Sequence, residues 1–356
     1  MSSTEHRSAQ FLTSLGWGDF FRDQMAAEEA ALAPMRIATV HRARISAMAP
    51  GSPGSPDTAD SPGGPVRLLL PHPPNTSDFA VGDWVLVEAA TGLLVRRLER
   101  RTLLRRRIEG GRGPQLIAAN VDTLFITTSC NADLNPARLE RYLALANEAG
   151  TAPVVLLTKA DQVDDPAPYL AQVTGLQRDL PVLALNARAP EARATLAPWC
   201  GPGQTVALVG SSGVGKSSLL NTLAGKSRAE AQATGAIRAS DAKGRHTTTA
   251  RSLHPIPGGG WVIDTPGMRT LHVSDITAGL EQLFAEITEL APQCRFRDCT
   301  HMHEPGCAVQ AAIAEGTLDP ARLARWHKLS QENLANTPVE TGARGNKSLR
   351  PRGPKR

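Results

Sequence analysis

The spacing of apolar residues predicts a helical segment at the start of the chain. Apolar side chains recur there at roughly helical spacing, at Leu12, Leu15, Trp17, Phe20, Phe21 and Met25. We therefore expect a helical N-terminal extension over 1–34 that packs on the body of the protein. Pro34 is expected to end it.

The segment 35–98 changes to the alternation of apolar and polar residues that is typical of strands. Short runs of this kind lie at 36–46, 66–70, 81–87 and 92–95. Short strands so close together predict a small barrel, and we favour an OB-like β-barrel over a generic β-barrel adaptor. Residues 50–65 are rich in Pro, Gly and Ser, so we expect a mobile loop between two strands.

A third pattern covers 117–275, where near-continuous apolar runs alternate with helical stretches such as 136–149. The apolar runs lie at 121–128, 152–157, 181–185 and 204–209. Runs of this type are typical of parallel strands covered on both faces, so we expect an α/β domain. The remainder is expected to be helical over 276–335 and a disordered basic tail over 336–356.

Composition sets the scale of these units. The 356 residues are enough for two or three domains, and 41% hydrophobic but only 4% aromatic residues indicate a mainly aliphatic core. No run approaches the ~18 apolar residues of a membrane span, and the first ten residues lack an apolar signal core. We therefore expect a cytoplasmic protein with no membrane partner.

Positive charge is concentrated rather than spread. The formal net charge is only +5, but the stretch 96–107 holds seven arginines: Arg96, Arg97, Arg100, Arg101, Arg105, Arg106 and Arg107. A charge run can simply be a solvated face. Beside a small barrel, clustered guanidinium groups also suit the phosphate backbone of a nucleic acid. Neutralising Arg105 to Arg107 is expected to reduce RNA affinity if the second interpretation holds.

A phosphate-binding loop follows the apolar run at 204–209. Residues 210–217 match the pattern G-x-x-x-x-G-K-[ST] in full, and a helix is predicted to begin after it. Its residues are Gly210, Ser211, Ser212, Gly213, Val214, Gly215, Lys216 and Ser217, followed by Ser218. Backbone N–H groups of such a loop surround phosphates. Lys216 is expected to bridge the β- and γ-phosphates, and Ser217 to bind Mg²⁺.

Three shorter motifs also follow predicted strands. Asp264 begins Asp-Thr-Pro-Gly, where a carboxylate suits water-mediated Mg²⁺ binding and the Gly267 N–H can sense a γ-phosphate. Thr158-Lys159-Ala-Asp161 supplies a carboxylate that can accept from N1–H and N2–H₂ of guanine, and the Lys159 stem can cover the base. Asn186-Ala187-Arg offers the Ala187 N–H to guanine O6. Together these motifs favour GTP over ATP.

These are the motifs of Ras-like GTPases in a permuted order, because the guanine motifs precede the phosphate-binding loop. With a barrel before them and a Cys/His-rich segment after them, the chain resembles the ribosome small-subunit-dependent GTPase A family (RsgA/YjeQ). The resemblance implies a switch at Gly244-Arg-His-Thr-Thr-Thr249. One of Thr247, Thr248 and Thr249 should bind Mg²⁺, and we favour Thr248.

Two residues depart from the Ras-like pattern. Thr158 stands where GTPases generally carry Asn, so a hydroxyl replaces a loop-tethering amide. Met268 stands where Ras-like enzymes place a water-orienting Gln, although the resemblance implies that an apolar residue is usual there. A thioether cannot orient water, so slow intrinsic hydrolysis and dependence on a partner are expected. His246 can act as a proton acceptor or be a solvated switch residue.

A candidate metal site lies near the end of the chain. Cys294, Cys299, His301 and Cys307 form a Cys₃His set suited to one structural Zn²⁺ ion. His303 is a rival ligand, and buried free thiols are the simpler alternative. The family resemblance also implies zinc at these positions.

Three functions are compatible with these features. We favour the function that the family resemblance implies: a GTP hydrolase acting late in the assembly of the small ribosomal subunit. Its expected partners are GTP with Mg²⁺, 16S rRNA and the subunit, and it is expected to act as a monomer. An RNA-binding module that uses guanine nucleotide as a structural ligand is the second. A P-loop kinase or ATPase is the third, and Asp161 counts against it.

Overall fold

The computed structural model describes residues 3–41, 44–49, 65–72, 75–107, 114–225, 251–265 and 274–337. The N-terminal extension contains α1 (Ser3–Ser14), α2 (Asp19–Arg22) and a 3₁₀ turn, Ala27–Glu29. The first strand already begins at Ala33 and includes Pro34. Phe21 and Trp17 pack against Trp84 with ring centroids 5.7 and 4.8 Å away, so the extension covers the outside of the β-rich segment. The predicted loop at 50–65 lies almost wholly outside the described residues.

Five strands form the β-rich segment: β1 (Ala33–His41), β2 (Arg44–Met48), β3 (Val66–Leu68), β4 (Trp84–Glu88) and β5 (Leu93–Arg97). The run expected at 36–46 is therefore two antiparallel strands. β1 pairs with both β2 and β4, β2 pairs with β3, and β4 pairs with β5. A parallel bridge between Leu69 and Leu93 closes this circuit of pairings. Alternate residues, such as Ile37, Ile45 and Val85, form its buried interior.

A hairpin of β6 (Leu103–Arg107) and β7 (Pro114–Ala119) leads to the α/β unit. The strands of that unit are β8 (Thr123–Ser129), β9 (Ala152–Thr158), β10 (Val182–Ala184), β11 (Thr205–Gly210), β12 (Ser252–Pro255) and β13 (Trp261–Asp264). They lie in the order β10-β9-β8-β11-β13-β12, and among these described strands only β12 is antiparallel to its neighbour within the unit. Its helices are α3 (Pro136–Glu148), α4 (Ala167–Thr174), α5 (Glu191–Leu196) and α6 (Lys216–Leu223), with 3₁₀ turns at Ala160–Gln162 and Ala197–Trp199.

The central strands are buried on both faces, as their continuous apolar runs predict. Leu208 and Phe125 belong to one apolar cluster, whereas Val209 and Ile126 belong to another on the opposite face. Since successive residues of a strand point to opposite faces, both faces need apolar side chains. The resulting sheet is mixed, and β12 continues it into β1 through the pair Thr39 and Ser252.

The C-terminal region is helical, as expected. It contains α7 (Thr277–Leu283), α8 (Ala285–Leu290), a 3₁₀ turn at Ala291–Gln293, α9 (Ala308–Ala314) and α10 (Pro320–Asn336). Glu140 on α3 joins this region to the α/β unit, because its Oε1 lies 3.1 Å from Arg322 Nη1 and 2.8 Å from Arg325 Nε on α10. The predicted basic tail, 336–356, begins within α10 at Asn336, and beyond Thr337 it lies outside the described residues. None of the described helices has the length and apolar character to cross a bilayer.

A buried arginine joins the N-terminal extension, the β-rich segment and the α/β unit. Arg36 on β1 donates through Nη1 to Leu15 O and to Thr205 Oγ1, the latter at 2.8 Å, and through Nη2 to Asn120 O at 2.9 Å. Burial lowers the pKa of Arg36 to about 10. The three units therefore meet at one buried, hydrogen-bonded guanidinium group.

Candidate guanine-nucleotide and metal sites

The predicted nucleotide motifs meet at one edge of the sheet. Thr158, Gly210 and Asp264 each end a parallel strand, and the carboxyl ends of parallel strands lie at the same edge. A cavity of about 330 Å³ opens there. It is lined by Thr158, Lys159, Asp161, Gln162, Asn186, Ala187, Arg188, Ser212, Gly213, Gly215, Lys216, Ser217 and Ser218. Of these, Gln162 and Arg188 were not singled out from the sequence.

The phosphate-binding loop requires glycine at Gly210. Its φ of +139° is rare for other residues, and a Cβ there would lie 2.0 Å from Thr127 O on β8. Gly213 and Gly215 also have positive φ, and Gly215 precedes the first residue of α6. The loop therefore curls at the N-terminus of a helix, where N–H groups and the helix dipole favour phosphate.

Lys216 spans this loop. Its Nζ donates to Gly210 O at 2.8 Å and to Ser211 O. The ammonium group is thus held over the loop and beside the cavity that the N–H groups line. Ser217 lines the same cavity, and its hydroxyl is an oxygen donor of the kind that Mg²⁺ prefers.

Thr158 ties the guanine motif to the phosphate-binding loop. Its buried hydroxyl lies within hydrogen-bonding distance of Val214 O and, at 2.9 Å, of Thr128 O on β8. The substitution of Thr for the usual Asn therefore keeps a link to the loop. The next residue, Lys159, adopts a left-handed φ of +58°, which turns the chain so that Asp161 faces the cavity.

The second guanine loop is held by hydrogen bonds within the loop, one of them to the Asn186 side chain. Asn186 Oδ1 accepts from Arg188 N at 2.9 Å, and Ala189 N donates to Asn186 O at 3.1 Å. Ala187 is buried and lines the cavity. Nothing among the described residues accepts a hydrogen bond from its N–H, which fits the expected contact with guanine O6.

The remaining nucleotide residues are only partly described. Asp264 ends β13 and pairs with Ser252 on β12, and the hydroxyl of Thr265 donates to Leu208 O next to the phosphate-binding loop. Gly267 and Met268 lie outside the described residues, as do Gly244 to Thr249 with Thr248. Their roles remain predictions from the sequence.

The four expected metal ligands converge. The ligand atoms of Cys294, Cys299, His301 and Cys307 all lie within 4.8 Å of one another. Cys294 Sγ is 3.9 Å from Cys307 Sγ and 3.6 Å from His301 Nδ1. Thiolates about 2.3 Å from a tetrahedral Zn²⁺ ion are themselves about 3.8 Å apart, so the described geometry suits zinc. His303, the rival ligand, is not part of this cluster.

Neighbouring groups orient these ligands. Gln310 Nε2 donates to His301 O at 2.6 Å, and the ring of Trp326 lies 5.5 Å from that of His301. The Glu304 carboxylate accepts from the N–H groups of Thr300, Met302 and His303 at 2.8, 3.0 and 3.2 Å. These contacts lower the pKa of Glu304 well below its ordinary value, the Thr300 hydroxyl contributing most. Glu304 therefore fixes the turn that carries His301, a role that its sequence position did not reveal.

The arginine run is not a free cationic face. Arg96 binds Glu29, Arg100 binds Asp83, Arg101 lies 3.5 Å from Asp122, and Arg105 lies 2.7 Å from Asp275. The Arg96 side chain, with the Ala26 N–H, holds the pKa of Glu29 at about 2. Four of the predicted phosphate contacts therefore already have carboxylate partners within the protein.

The sheet order, the phosphate-binding loop and the adjoining guanine loops define a P-loop GTPase fold whose motifs occur in permuted order. A family model described as RsgA GTPase matches residues 97–274. The small ribosomal subunit biogenesis GTPase RsgA of Mesorhizobium japonicum is 64% identical over 349 residues, which cover 98% of this chain and 97% of that protein. The corresponding RsgA 2 of Vibrio vulnificus is 47% identical over 327 residues, covering 91% and 88%. The chain belongs to the RsgA GTPase family.

Solved structures agree on the fold. The crystal structure of YjeQ from Thermotoga maritima has a TM-score of 0.61 and 24% identity, covering 86% of this chain and 99% of that one. The structure of YloQ, a circularly permuted GTPase, has a TM-score of 0.60 and 22% identity, covering 88% and 99%.

Proposed function

We propose that this protein hydrolyses GTP to GDP and phosphate and acts as a late assembly factor of the small ribosomal subunit. The observation that carries the proposal is that the phosphate-binding loop, Asp161 and Ala187 line the same cavity. The relatives are named as small ribosomal subunit biogenesis GTPases, which supports the proposed role in subunit assembly.

Within that cavity, we assign guanine recognition to Thr158, Lys159, Asp161, Asn186 and Ala187. Phosphate binding belongs to 210–218, with Lys216 stabilising charge on the transferred phosphoryl group. Ser217 and Thr248 would hold Mg²⁺, which neutralises phosphate charge when bound, and Asp264 would act through a water. Gly267 would sense the γ-phosphate. The roles of the cavity residues rest on the motif positions and on the cavity lining, whereas those of Thr248, Asp264 and Gly267 rest on the motif positions alone.

The other units are proposed to bind RNA. The strand circuit β1-β2-β3-β5-β4 supports the proposal of an OB-like barrel, a fold that binds oligonucleotides. The C-terminal region would be stabilised by one Zn²⁺ ion at the Cys₃His cluster. On this basis we propose four consecutive units: a barrel over 35–98, a basic linker over 99–116, a GTPase domain over 117–275 and a zinc-binding domain over 276–335. Contact with 16S rRNA, a monomeric state and a cytoplasmic location belong to the same proposal.

Coupling between the units follows from two connections. β12 pairs on one side with β13, the strand that ends at Asp264, and on the other with β1 of the β-rich segment. Asp275, close after the Asp-Thr-Pro-Gly motif, is bound by Arg105 of the hairpin. A change at the γ-phosphate would therefore reach both RNA-binding units, so GTP favours the bound state and hydrolysis releases it.

The test is phosphate release from GTP and from ATP, each with and without purified small subunits. We expect GTP turnover that is slow alone and rises strongly with subunits, and no such rise for Lys216→Ala. Tight GDP binding without turnover in either case would favour the RNA-binding module instead. A preference for ATP would overturn the assignment of the guanine loops.

A further inference from the structure

We propose that Thr222, which lies outside every nucleotide-binding motif, is a positioning residue for guanine recognition. Its hydroxyl holds the Ala187 carbonyl, and this contact keeps the Ala187 N–H aligned with guanine O6. The inference rests on the proposed guanine-nucleotide function and adds to it a residue that determines specificity.

The contact links two separate parts of the cavity wall. Thr222 lies in the last turn of α6, the helix that begins at the phosphate-binding loop. Its Oγ1 donates to Ala187 O at 2.8 Å, across 35 positions of sequence. The same oxygen lies 3.0 Å from Ser218 O, the local contact open to any helical threonine. Only the contact with Ala187 is specific to this fold.

The contact completes a set that holds both peptide groups of Ala187. The peptide group that joins Ala187 to Arg188 is bound at its carbonyl by Thr222 and at its N–H by Asn186 Oδ1, the latter at 2.9 Å. The peptide group that joins Asn186 to Ala187 is bound at its carbonyl by Ala189 N at 3.1 Å. The Ala187 N–H belongs to that second group, and Ala187 itself is a buried residue of the cavity wall.

Loss of the Thr222 hydroxyl would release the Ala187 carbonyl from its hydrogen bond to α6. The loop would then gain rotational freedom at Ala187, and the N–H would reach guanine O6 less well. A nucleotide without O6 makes no such contact, so its affinity depends only on the other loops. The ratio of the affinity for GDP to the affinity for a nucleotide without O6 therefore separates the role of Thr222 from any general loosening of the fold.

The experiment uses the full chain and three variants, Thr222→Val, Thr222→Ala and Thr222→Ser. Dissociation constants are measured for GDP, for inosine diphosphate, and for 2-aminopurine riboside diphosphate, which lacks O6 and reports through its own fluorescence. We expect Thr222→Val and Thr222→Ala to weaken GDP and inosine diphosphate about fivefold to tenfold, the effect of one hydrogen bond. The 2-aminopurine nucleotide should change less than about twofold, and Thr222→Ser should restore guanine affinity.

Two results would overturn the inference. Equal weakening of all three nucleotides would mean that Thr222 only maintains the fold, and unchanged GDP affinity in both Thr222→Val and Thr222→Ala would mean that it positions nothing. Thr222→Ala keeps the test valid if Thr222→Val fails to fold. A wild-type chain that does not bind GDP would overturn the proposed function itself, which is a separate outcome.

Discussion

Arg100 forms a two-pronged ion pair with Asp83, with Nε 2.6 Å from Oδ1 and Nη2 2.7 Å from Oδ2. The Asp83 side chain is fully buried, and its Oδ2 also accepts from Ala80 N at 2.7 Å. The arginine lies in the run whose density suggested phosphate contacts. Its partner instead lies in the turn before β4, so this arginine helps to hold the β-rich segment together.

Replacing this arginine should therefore destabilise the protein. Arg100→Gln would leave the Asp83 carboxylate buried without its cation, and such losses cost about 3 to 5 kcal/mol. Urea unfolding should show that loss. The matched control is Arg97→Gln, because Arg97 has no carboxylate partner among the described residues and donates only to Leu98 O. A similar stability for both variants would contradict the structural role of Arg100.

Arg97 and Arg100 also distinguish arginines that could bind RNA from those that stabilise the fold. If the arginine run contacts RNA, the contribution should come from members without carboxylate partners, such as Arg97. Arg97→Gln is expected to weaken RNA binding and to reduce the salt slope of log K by about one. Arg178→Gln, at an exposed ion pair with Glu289 outside the run, should leave the slope unchanged. If the salt slope of log K is unaltered in Arg97→Gln, the arginine run does not contact RNA and serves only as a solvated or ion-paired face.

These arginines also mark what sequence could and could not predict. The phosphate-binding loop, the guanine loops and the Cys₃His set were predictable because local spacing encodes them. The partners of Arg100 and Arg105 lie 17 and 170 positions away, so no local pattern points to them. Thr222 is similar, since its acceptor Ala187 belongs to a loop that only the folded sheet brings near.

The cysteine cluster predicts a metal-dependent C-terminal region. Cys299→Ser should lose the bound zinc and lower the unfolding temperature, because a structural zinc site contributes directly to folding. The control is Cys200→Ser, since Cys200 is buried in the α/β unit and outside the cluster. Metal analysis of the purified variants should find about one zinc per chain in the control and none in Cys299→Ser. Equal zinc content would contradict the ligand assignment.

The ion pair of Glu29 with Arg96 predicts a pH-dependent contribution to stability. The Arg96 side chain lowers the pKa of Glu29 from 4.5 to about 2 in the folded protein. The pair therefore stabilises the fold fully above pH 4.5, and this contribution is lost as the pH falls towards 2. In urea titrations, the stability difference between wild type and Glu29→Gln should shrink across that interval. Glu315→Gln, at an exposed carboxyl group, is the control, and a constant difference for Glu29→Gln would contradict the lowered pKa.

The last prediction concerns Lys216, which the structure holds over the phosphate-binding loop through Gly210 O and Ser211 O. Lys216→Ala removes a cation beside bound phosphate, and a hydrogen bond to a charged group is worth about 1.5 to 3 kcal/mol. GDP affinity should therefore fall about 10- to 100-fold in calorimetric titration. The exposed Lys328→Ala on α10 should bind GDP like the wild type. Because the Lys216 side chain is only partly buried, the nucleotide-free variant should unfold at nearly the wild-type urea concentration. A lower affinity accompanied by a large loss of stability would instead mean that Lys216 maintains the loop rather than binds phosphate.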